Sequence, residues 1–171
     1  MQRQVQLIDA AWPQVIAQLQ QNHQIYGLTK MDIGQFGFIK SIEQWRIQEL
    51  KSLGINFIDN PSVATFKPEI AVSYHLGVFF TGEYKKSDVL KAYSPLMKPN
   101  LVVLVDDKME NITDLADYCQ QLGIEFLGLH FKGLNQQQLA GYNQQLADFQ
   151  QEYLVQHLKW LEDDAARKLL Q

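Results

Sequence analysis

The clearest structural pattern in the chain is LVVLVDD, residues 101–107. Five consecutive apolar residues that end in two aspartates are typical of a strand buried on both faces, as in a parallel sheet. Pro99 and Asn100 precede the run and bound the strand on its other side. The stretch therefore predicts an α/β protein built on a parallel sheet.

The residues that follow complete a strand–helix–strand unit. Residues 112–122 predict a helix that stops at Gly123, and residues 124–130 predict a second strand. Two strands joined through a helix run parallel in one sheet, with a right-handed crossover.

Apolar spacing extends the same pattern toward the N-terminus. Steps of three and four residues predict helices, whereas short apolar runs predict strands. The predicted helices are 12–19, 41–53 and 86–96, the predicted strand is 25–29, and the predicted hairpin joins 70–74 to 78–80.

The chain divides into a core and a helical segment. Residues 1–134 predict the α/β core, in which residues 55–82 form an irregular and hairpin insert. Residues 135–171 predict helices with an apolar stripe, which we expect to pack on the core. The stripe consists of Leu139, Tyr142, Leu146, Phe149 and Tyr153.

Composition excludes several classes of protein. The 171 residues are 46% hydrophobic with a formal charge of −4, which suits a folded globule and argues against a general nucleic-acid binder. The longest apolar run, residues 101–105, is too short to span a bilayer. The single cysteine, Cys119, excludes an internal disulfide. Because residues 1–4 lack the apolar stretch of a signal peptide, we expect a soluble cytoplasmic protein without a membrane partner.

The strongest candidates for chemistry are Asp106 and Asp107. Ligand sites in open α/β sheets lie at the carboxyl ends of the strands, where two carboxylates are suited to a hard cation. The alternative is that one aspartate caps the following helix and the other is solvated.

Two further residues have the chemistry of an anion site. Thr29 ends a predicted strand, where its hydroxyl and backbone N–H can bind a phosphoryl oxygen. Lys86, beside Lys85, begins a predicted helix and can supply positive charge. Taken alone, such residues are more often turn residues or solvated lysines.

Thr29, Lys86 and the pair Asp106 and Asp107, in this order, resemble the second, third and fourth motifs of the haloacid dehalogenase-like (HAD) hydrolase superfamily. The chain most closely resembles a family of uncharacterised HAD-like proteins of intracellular bacteria such as Legionella and Coxiella. The stretches that carry this resemblance are 12–29, 53–57, 77–82, 105–112 and 123–131.

The resemblance implies a Rossmann-like HAD-type three-layer sandwich, incomplete at the N-terminus, with added C-terminal helices. In HAD phosphatases the first aspartate of an Asp-x-Asp motif attacks the phosphoryl group, and the second acts as general acid and base. The resemblance implies that Thr29 and Lys86 hold phosphoryl oxygens and that Asp106 and Asp107 help bind Mg²⁺. It also implies a phosphorylated small molecule as the ligand.

This chain departs from the family pattern because no Asp-x-Asp precedes Thr29. The only upstream aspartate is Asp9, and Ala11 stands two positions later, so we interpret Asp9 as a helix cap. In HAD sheets the missing strand lies between those of the second and fourth motifs. We therefore expect these two strands to pair directly, or residues 5–7 or a partner chain to fill the gap.

Three hypotheses follow. We favour a truncated or degenerate HAD-like phosphatase domain, non-catalytic alone, that retains a remnant phosphate and Mg²⁺ site and binds a ligand, a complementing segment or a second copy. The second hypothesis is an active Mg²⁺-dependent phosphatase that uses Asp9 or a complementing segment. The third is an α/β interaction module in which the Asp pair only caps a helix.

Overall fold

A computed structural model describes residues 5–132, 143–157 and 161–170, which belong to two compact units. The helices are α1 (Trp12–Leu19), α2 (Ile42–Ser52), α3 (Pro61–Thr65), α4 (Lys86–Met97), α5 (Met109–Leu122), α6 (Gln144–His157) and α7 (Asp163–Leu170). The strands are β1 (Gly27–Thr29), β2 (Ser73–His75), β3 (Val78–Phe80), β4 (Leu101–Asp106) and β5 (Glu125–His130). The first unit spans residues 5–132.

Strands β4 and β5 form a parallel pair, as the sequence predicts. Helix α5 connects them and packs on one face, where Ile112 and Leu115 contact Leu104 of β4 in a buried cluster. Gly128 in β5 allows this close approach, because a Cβ there would overlap the Ile112 side chain. The predicted strand–helix–strand unit is therefore confirmed.

A second sheet has the order β1-β3-β2. Strand β3 lies in the centre, parallel to β1 and antiparallel to β2, so the predicted hairpin is confirmed. All three residues of β3 are buried. Phe79 packs in one cluster with Val63 and Tyr93, whereas Val78 and Phe80 pack in another. Because successive side chains of a strand point to opposite faces, β3 supports apolar layers on both sides.

Helix α4 joins the two sheets. Its Leu90 belongs to the cluster of β4 and α5, whereas its Val89 and Tyr93 belong to the cluster of Phe79. Among the described residues no strand of one sheet pairs with a strand of the other. The first unit is thus a mixed α/β structure with parallel strands, held together by side-chain packing through a shared helix.

The prediction that β4 is buried on both faces is wrong. Leu104 and Asp106 are buried on the side of α5, whereas Leu101, Val103 and Val105 on the other side are exposed. The reason is that α5 covers only one face of the pair. Exposed residues of both strands form a continuous apolar surface, here called the open face: Leu101, Val103, Val105, Leu127 and Leu129.

Three other expectations need correction. Strands β1 and β4 do not pair directly, and residues 5–7 form no strand. Within the described chain, neither of these expected arrangements closes the gap left by the missing strand. The part of the 55–82 insert that precedes the hairpin is not wholly irregular, because it contains α3. Asn60 caps this short helix by accepting hydrogen bonds from the backbone N–H groups of Ser62 and Val63.

The second unit contains α6 and α7. Leu146 of α6 packs with Leu161 and Ala166, while Phe149 and Tyr153 are partly buried against them. Leu139 and Tyr142, the other members of the predicted stripe, lie outside the described residues. Packing of this segment on the core stays a prediction. None of the helices in the described ranges is long and apolar enough to cross a membrane.

Cys119 lies in the buried cluster of α5, with none of its surface exposed. Burial raises the pKa of its thiol, because the charged thiolate is poorly solvated there. Cys119 therefore belongs to the apolar core of the β4–β5 sheet.

Candidate functional site

Lys86 and Asp106 form an ion pair at the carboxyl end of β4. Asp106 is the last residue of that strand and Lys86 the first residue of α4, and the Lys86 Nζ donates to Asp106 Oδ2. The second oxygen, Oδ1, accepts from the Lys108 backbone N–H at 2.8 Å and from Asn111 Nδ2 at 3.0 Å. Both oxygens of this buried carboxylate are thus bound by donors.

These contacts keep Asp106 ionised. Burial by itself raises the pKa of a carboxyl group, but the hydrogen bonds from Lys86, Asn111 and the Lys108 N–H outweigh it, and the pKa of Asp106 is lowered. At neutral pH Asp106 is therefore a buried carboxylate that accepts from the Lys86 side chain.

Asp107 differs from its neighbour. Its side chain is exposed and makes no hydrogen bond or ion pair within the described chain, while its backbone oxygen lies 3.1 Å from His130 Nε2. Helix α5 begins two residues later, at Met109, after the turn that Asp106 closes by accepting from Lys108. The geometry thus also agrees with the alternative in which one aspartate orders a helix start and the other is solvated.

Thr29 lies at the carboxyl end of β1. Its backbone oxygen accepts from the Thr81 N–H at 3.0 Å, and its half-buried hydroxyl makes no hydrogen bond with the residues the structure describes. No hydrogen bond within those residues joins Thr29 to Lys86 or Asp106. The structure therefore brings two of the predicted motifs into contact, and the third makes no hydrogen bond to either.

A second polar network, which the sequence did not indicate, holds α4 against α5. Asp114 of α5 accepts from the Ser87 hydroxyl, and its Oδ1 lies 3.0 Å from Lys85 Nζ. Burial opposes ionisation, but these hydrogen bonds lower the pKa of Asp114. Lys85, which stands beside Lys86 in the sequence, thus pairs with a carboxylate of its own. Nothing in local spacing links Ser87 to a residue 27 positions away.

A cavity of about 850 Å³ borders the first turn of α4. Asp32 and Ile33, which follow β1, line it together with Gly82 and Glu83, which follow β3. Loops at the carboxyl ends of parallel strands are the usual location of ligand sites in α/β proteins. Lys85, Ser87 and Asp114 also line it, whereas Thr29, Lys86 and Asp106 do not, so the cavity adjoins the second polar network and not the ion pair.

Thr81, directly after β3, has a completely buried hydroxyl without a hydrogen-bond partner in the described chain. A buried hydroxyl without a partner costs about 1–3 kcal/mol, so we expect Thr81→Val to raise the free energy of unfolding by about 1 kcal/mol. Urea unfolding at neutral pH measures the change. A clear loss of stability would show that the hydroxyl has a partner in solution.

The donor set supports at most weak Mg²⁺ binding. Among the described residues no three His, Cys, Asp or Glu side chains come together as a metal-binding group. Asp106 is already engaged by three donors, whereas the Asp107 carboxylate is free to take a cation. Mg²⁺ commonly uses one or two carboxylates and fills its other positions with water and phosphate oxygens. These residues therefore fit Mg²⁺ binding in which phosphate oxygens supply some of the ligands.

Comparison with known proteins places the chain in a family. It is 28% identical over 178 residues to an uncharacterised protein of Rickettsia prowazekii, and the match covers 99% of this chain but only 64% of that protein. It is 25% identical over 95 residues to a Chlamydia pneumoniae protein named "Putative outer membrane protein", covering 54% and 36% of the two chains. No solved structure matches. Residues 1–167 match the family described as Protein of unknown function (DUF2608), and the chain therefore belongs to that family.

Proposed function

We propose that the chain is a HAD-like domain that binds a phosphorylated small molecule and does not catalyse phosphate transfer by itself. The observation that carries the proposal is the ion pair between Lys86 and Asp106 at the carboxyl end of β4. It joins the residues of two HAD-like motifs at the place where α/β sheets bind ligands.

Lys86 and Thr29 supply the phosphate-binding groups in this proposal. The Asp106 carboxylate accepts a hydrogen bond from the Lys86 Nζ and so holds this donor at the start of α4. The Thr29 hydroxyl is free among the described residues to donate to a phosphoryl oxygen. Mg²⁺ bound at Asp107 would reduce the repulsion between a phosphate dianion and the two carboxylates.

The absence of an Asp-x-Asp in the 171 residues supports a non-catalytic domain. Asp9, the remaining candidate for a nucleophile, accepts a hydrogen bond from the Ala11 N–H at 2.8 Å, next to the start of α1. The interpretation of Asp9 as a helix cap is wrong, because the N-cap of α1 is Ala11 and no side chain caps the helix; Asp9 instead closes the turn that precedes it. Ala11, two positions after it, has no group that transfers a proton. A complementing segment would have to supply both groups for turnover.

The test combines binding and turnover on the purified 171-residue chain. We expect inorganic phosphate with Mg²⁺ to raise the melting temperature, and p-nitrophenyl phosphate to remain unhydrolysed. Thr29→Val and Asp107→Asn remove one ligand-binding group each without disturbing a hydrogen bond in the described structure. Each should reduce the phosphate-dependent shift, whereas Lys85→Met, which removes the neighbouring lysine, should leave most of it.

Two results would contradict the proposal. Hydrolysis that disappears in Asp106→Ala would identify an active phosphatase. If phosphate and Mg²⁺ neither bind nor raise the melting temperature, the chain has no phosphate site and the interaction module becomes the better hypothesis.

The interaction module is favoured by one specific observation, the open face. Large exposed apolar surfaces on soluble domains commonly mark contacts with another protein segment. Binding of a partner without any response to phosphate would support this second candidate.

We further propose a cytoplasmic location, where phosphorylated metabolites are available. The name of the Chlamydia relative makes the envelope the alternative to test. Detection of the protein in the soluble fraction of its own bacterium would support the proposal, and detection in the outer-membrane fraction would overturn it.

A further inference from the structure

Helix α4 carries Lys86 on its first turn, and the N-cap of this helix offers that turn no acceptor. The N-cap residue is Lys85, whose side chain has donors only, so it cannot bind the free backbone N–H groups at the helix start. Asp88 accepts from the Lys85 backbone N–H at 3.0 Å, but this bond satisfies the N-cap and not the N–H groups of the first turn. The position of Lys86 therefore depends on contacts from outside α4.

These contacts come from one face of α5. Asn111 and Asp114 lie three residues apart on this helix and therefore on the same side of it. Asn111 Nδ2 donates to Asp106 Oδ1 at 3.0 Å, whereas Asp114 Oδ2 accepts from the hydroxyl of Ser87, the residue next to Lys86. Helix α5 is thus bound to both sides of the ion pair, directly at the carboxylate and through Ser87 at the lysine.

Apolar packing fixes α5 in this position. The residues that directly follow Asn111 and Asp114 in the sequence, Ile112 and Leu115, are buried in the cluster that they share with β4. Leu90 of α4 belongs to the same cluster. A rotation of α5 that moved its two polar side chains would also expose these apolar ones, so the helix is a firm support for both polar contacts.

The two partners of Asp114 contribute unequally. Its Oδ1 lies 3.0 Å from Lys85 Nζ, but that lysine side chain is 70% exposed, and exposed ion pairs stabilise little. Ser87 is buried, so its hydrogen bond to the carboxylate is shielded from water. The contact through Ser87 is therefore the one that can fix the first turn of α4.

We propose that Asp114, acting through Ser87, is a positioning residue that holds Lys86 against Asp106 and so in place to bind a phosphoryl oxygen. This inference rests on the proposed function in that Lys86 is taken as the phosphate-binding group. Without the Ser87 contact, the first turn of α4 can shift and carry the Lys86 amine away from the carboxylate. A network that only added stability would leave the position of Lys86 unchanged.

Acetylation with acetic anhydride measures the position of Lys86 without any phosphate. The Lys86 side chain is 15% exposed and bound to Asp106, so it should react slowly in the wild-type 171-residue chain. Ser87→Ala and Asp114→Ala should each raise its rate at least about fivefold relative to the exposed lysines, which corresponds to the loss of one hydrogen bond. Tandem mass spectrometry of chymotryptic peptides distinguishes Lys86 from Lys85.

The same variants are titrated with inorganic phosphate in the presence of Mg²⁺ by isothermal titration calorimetry. Ser87→Ala and Asp114→Ala should weaken phosphate binding at least about fivefold, although neither residue is one of the proposed phosphate-binding groups. In Lys86→Met, the further substitution Asp114→Ala should cause no additional loss, because the side chain that it positions is already gone.

Three controls separate positioning from stability. Asp117→Ala makes the same substitution one turn later on α5, at an exposed aspartate without a hydrogen bond or ion pair to the described residues. Lys85→Met removes the other partner of Asp114, and Gly34→Ala introduces backbone strain in the loop before α2. All three should resemble the wild type in Lys86 acetylation and phosphate affinity. Circular dichroism shows whether each variant remains folded.

Three outcomes would overturn the inference. They are slow acetylation of Lys86 in both Ser87→Ala and Asp114→Ala, an equal rise in Gly34→Ala, and unchanged phosphate affinity in variants whose Lys86 has become reactive. A wild type that binds no phosphate refutes the proposed function, but faster acetylation in Ser87→Ala would still show that the network positions Lys86. A wild type that binds phosphate, with unchanged acetylation in the variants, refutes only the positioning.

Discussion

Replacing Lys86 with methionine is expected to lower the free energy of unfolding by about 3 kcal/mol at pH 7. The Lys86 side chain is 15% exposed and that of Asp106 only 1%, so the substitution leaves a carboxylate buried without its cation. The hydrogen bonds from Lys108 and Asn111 remain but cannot replace the positive charge. Urea unfolding followed by circular dichroism measures the effect.

The same variant should change the dependence of stability on pH. The folded pKa of Asp106 lies below its unfolded value, so this carboxylate stabilises the wild type above about pH 4, and its contribution is lost as the pH falls through the folded pKa. Without Lys86, fewer hydrogen bonds offset the effect of burial, so the folded pKa of Asp106 rises. The difference in stability between wild type and variant should therefore shrink on acidification.

Two control variants test whether the unpaired Asp106 carboxylate causes the loss of stability in Lys86→Met. Lys85→Met removes a lysine whose side chain is 70% exposed, and it should change stability little. Adding Asp106→Asn to Lys86→Met should restore most of the lost stability, because the asparagine oxygen can still accept from Lys108 and Asn111 without a buried charge. An unfolding curve of Lys86→Met that matches the wild type would contradict the buried ion pair.

Gly77→Ala should destabilise the first unit by about 3 kcal/mol. Gly77 forms the hairpin turn with φ +81°, a conformation that costs an L-residue about 1–2 kcal/mol. A Cβ there would also lie 2.5 Å from the Phe57 Cβ and 3.0 Å from the Ile58 backbone oxygen, so the backbone must shift. Overpacking of this kind adds about 1–3 kcal/mol.

Gly34→Ala separates the two contributions. Gly34 has nearly the same φ, +82°, but a Cβ added there meets no atom within 4 Å. It should therefore cost only the conformational part, about 1–2 kcal/mol. Equal losses for the two variants in thermal unfolding would show that the packing around Gly77 is looser than the structure indicates.

Local sequence patterns predicted most elements of the first unit. The run at residues 101–105 indicated β4, and the apolar spacing over residues 41–53 indicated α2, which begins after its cap Ser41. The pattern could not show that β4 is buried on one face only. A run of apolar residues indicates that a strand is suited to burial on both faces. It does not indicate whether another element covers each face, because that element need not lie in the same stretch of sequence.

The site could be predicted less completely than the fold. Lys86 and Asp106 were both singled out, and the structure places them in contact, because one begins α4 and the other ends β4. No sequence pattern indicates Asn111 and Asp114, because their contacts depend on how α5 is rotated against β4 and α4. Thr29 and Asp106 end strands of two different sheets, and no local pattern predicts this division.

Because the first unit contains two sheets, its unfolding can be followed at separate places. The sole cysteine, Cys119, lies in the cluster of β4 and α5, whereas Tyr26, Tyr74 and Tyr93 lie in the cluster of β3. Thiol modification thus reports the opening of one sheet, whereas tyrosine absorbance reports both, because Tyr118 packs against the same cluster as Cys119. Modification of Cys119 that precedes most of the absorbance change would show that the β4–β5 half opens first, and coincidence of the two signals would show that the halves open together.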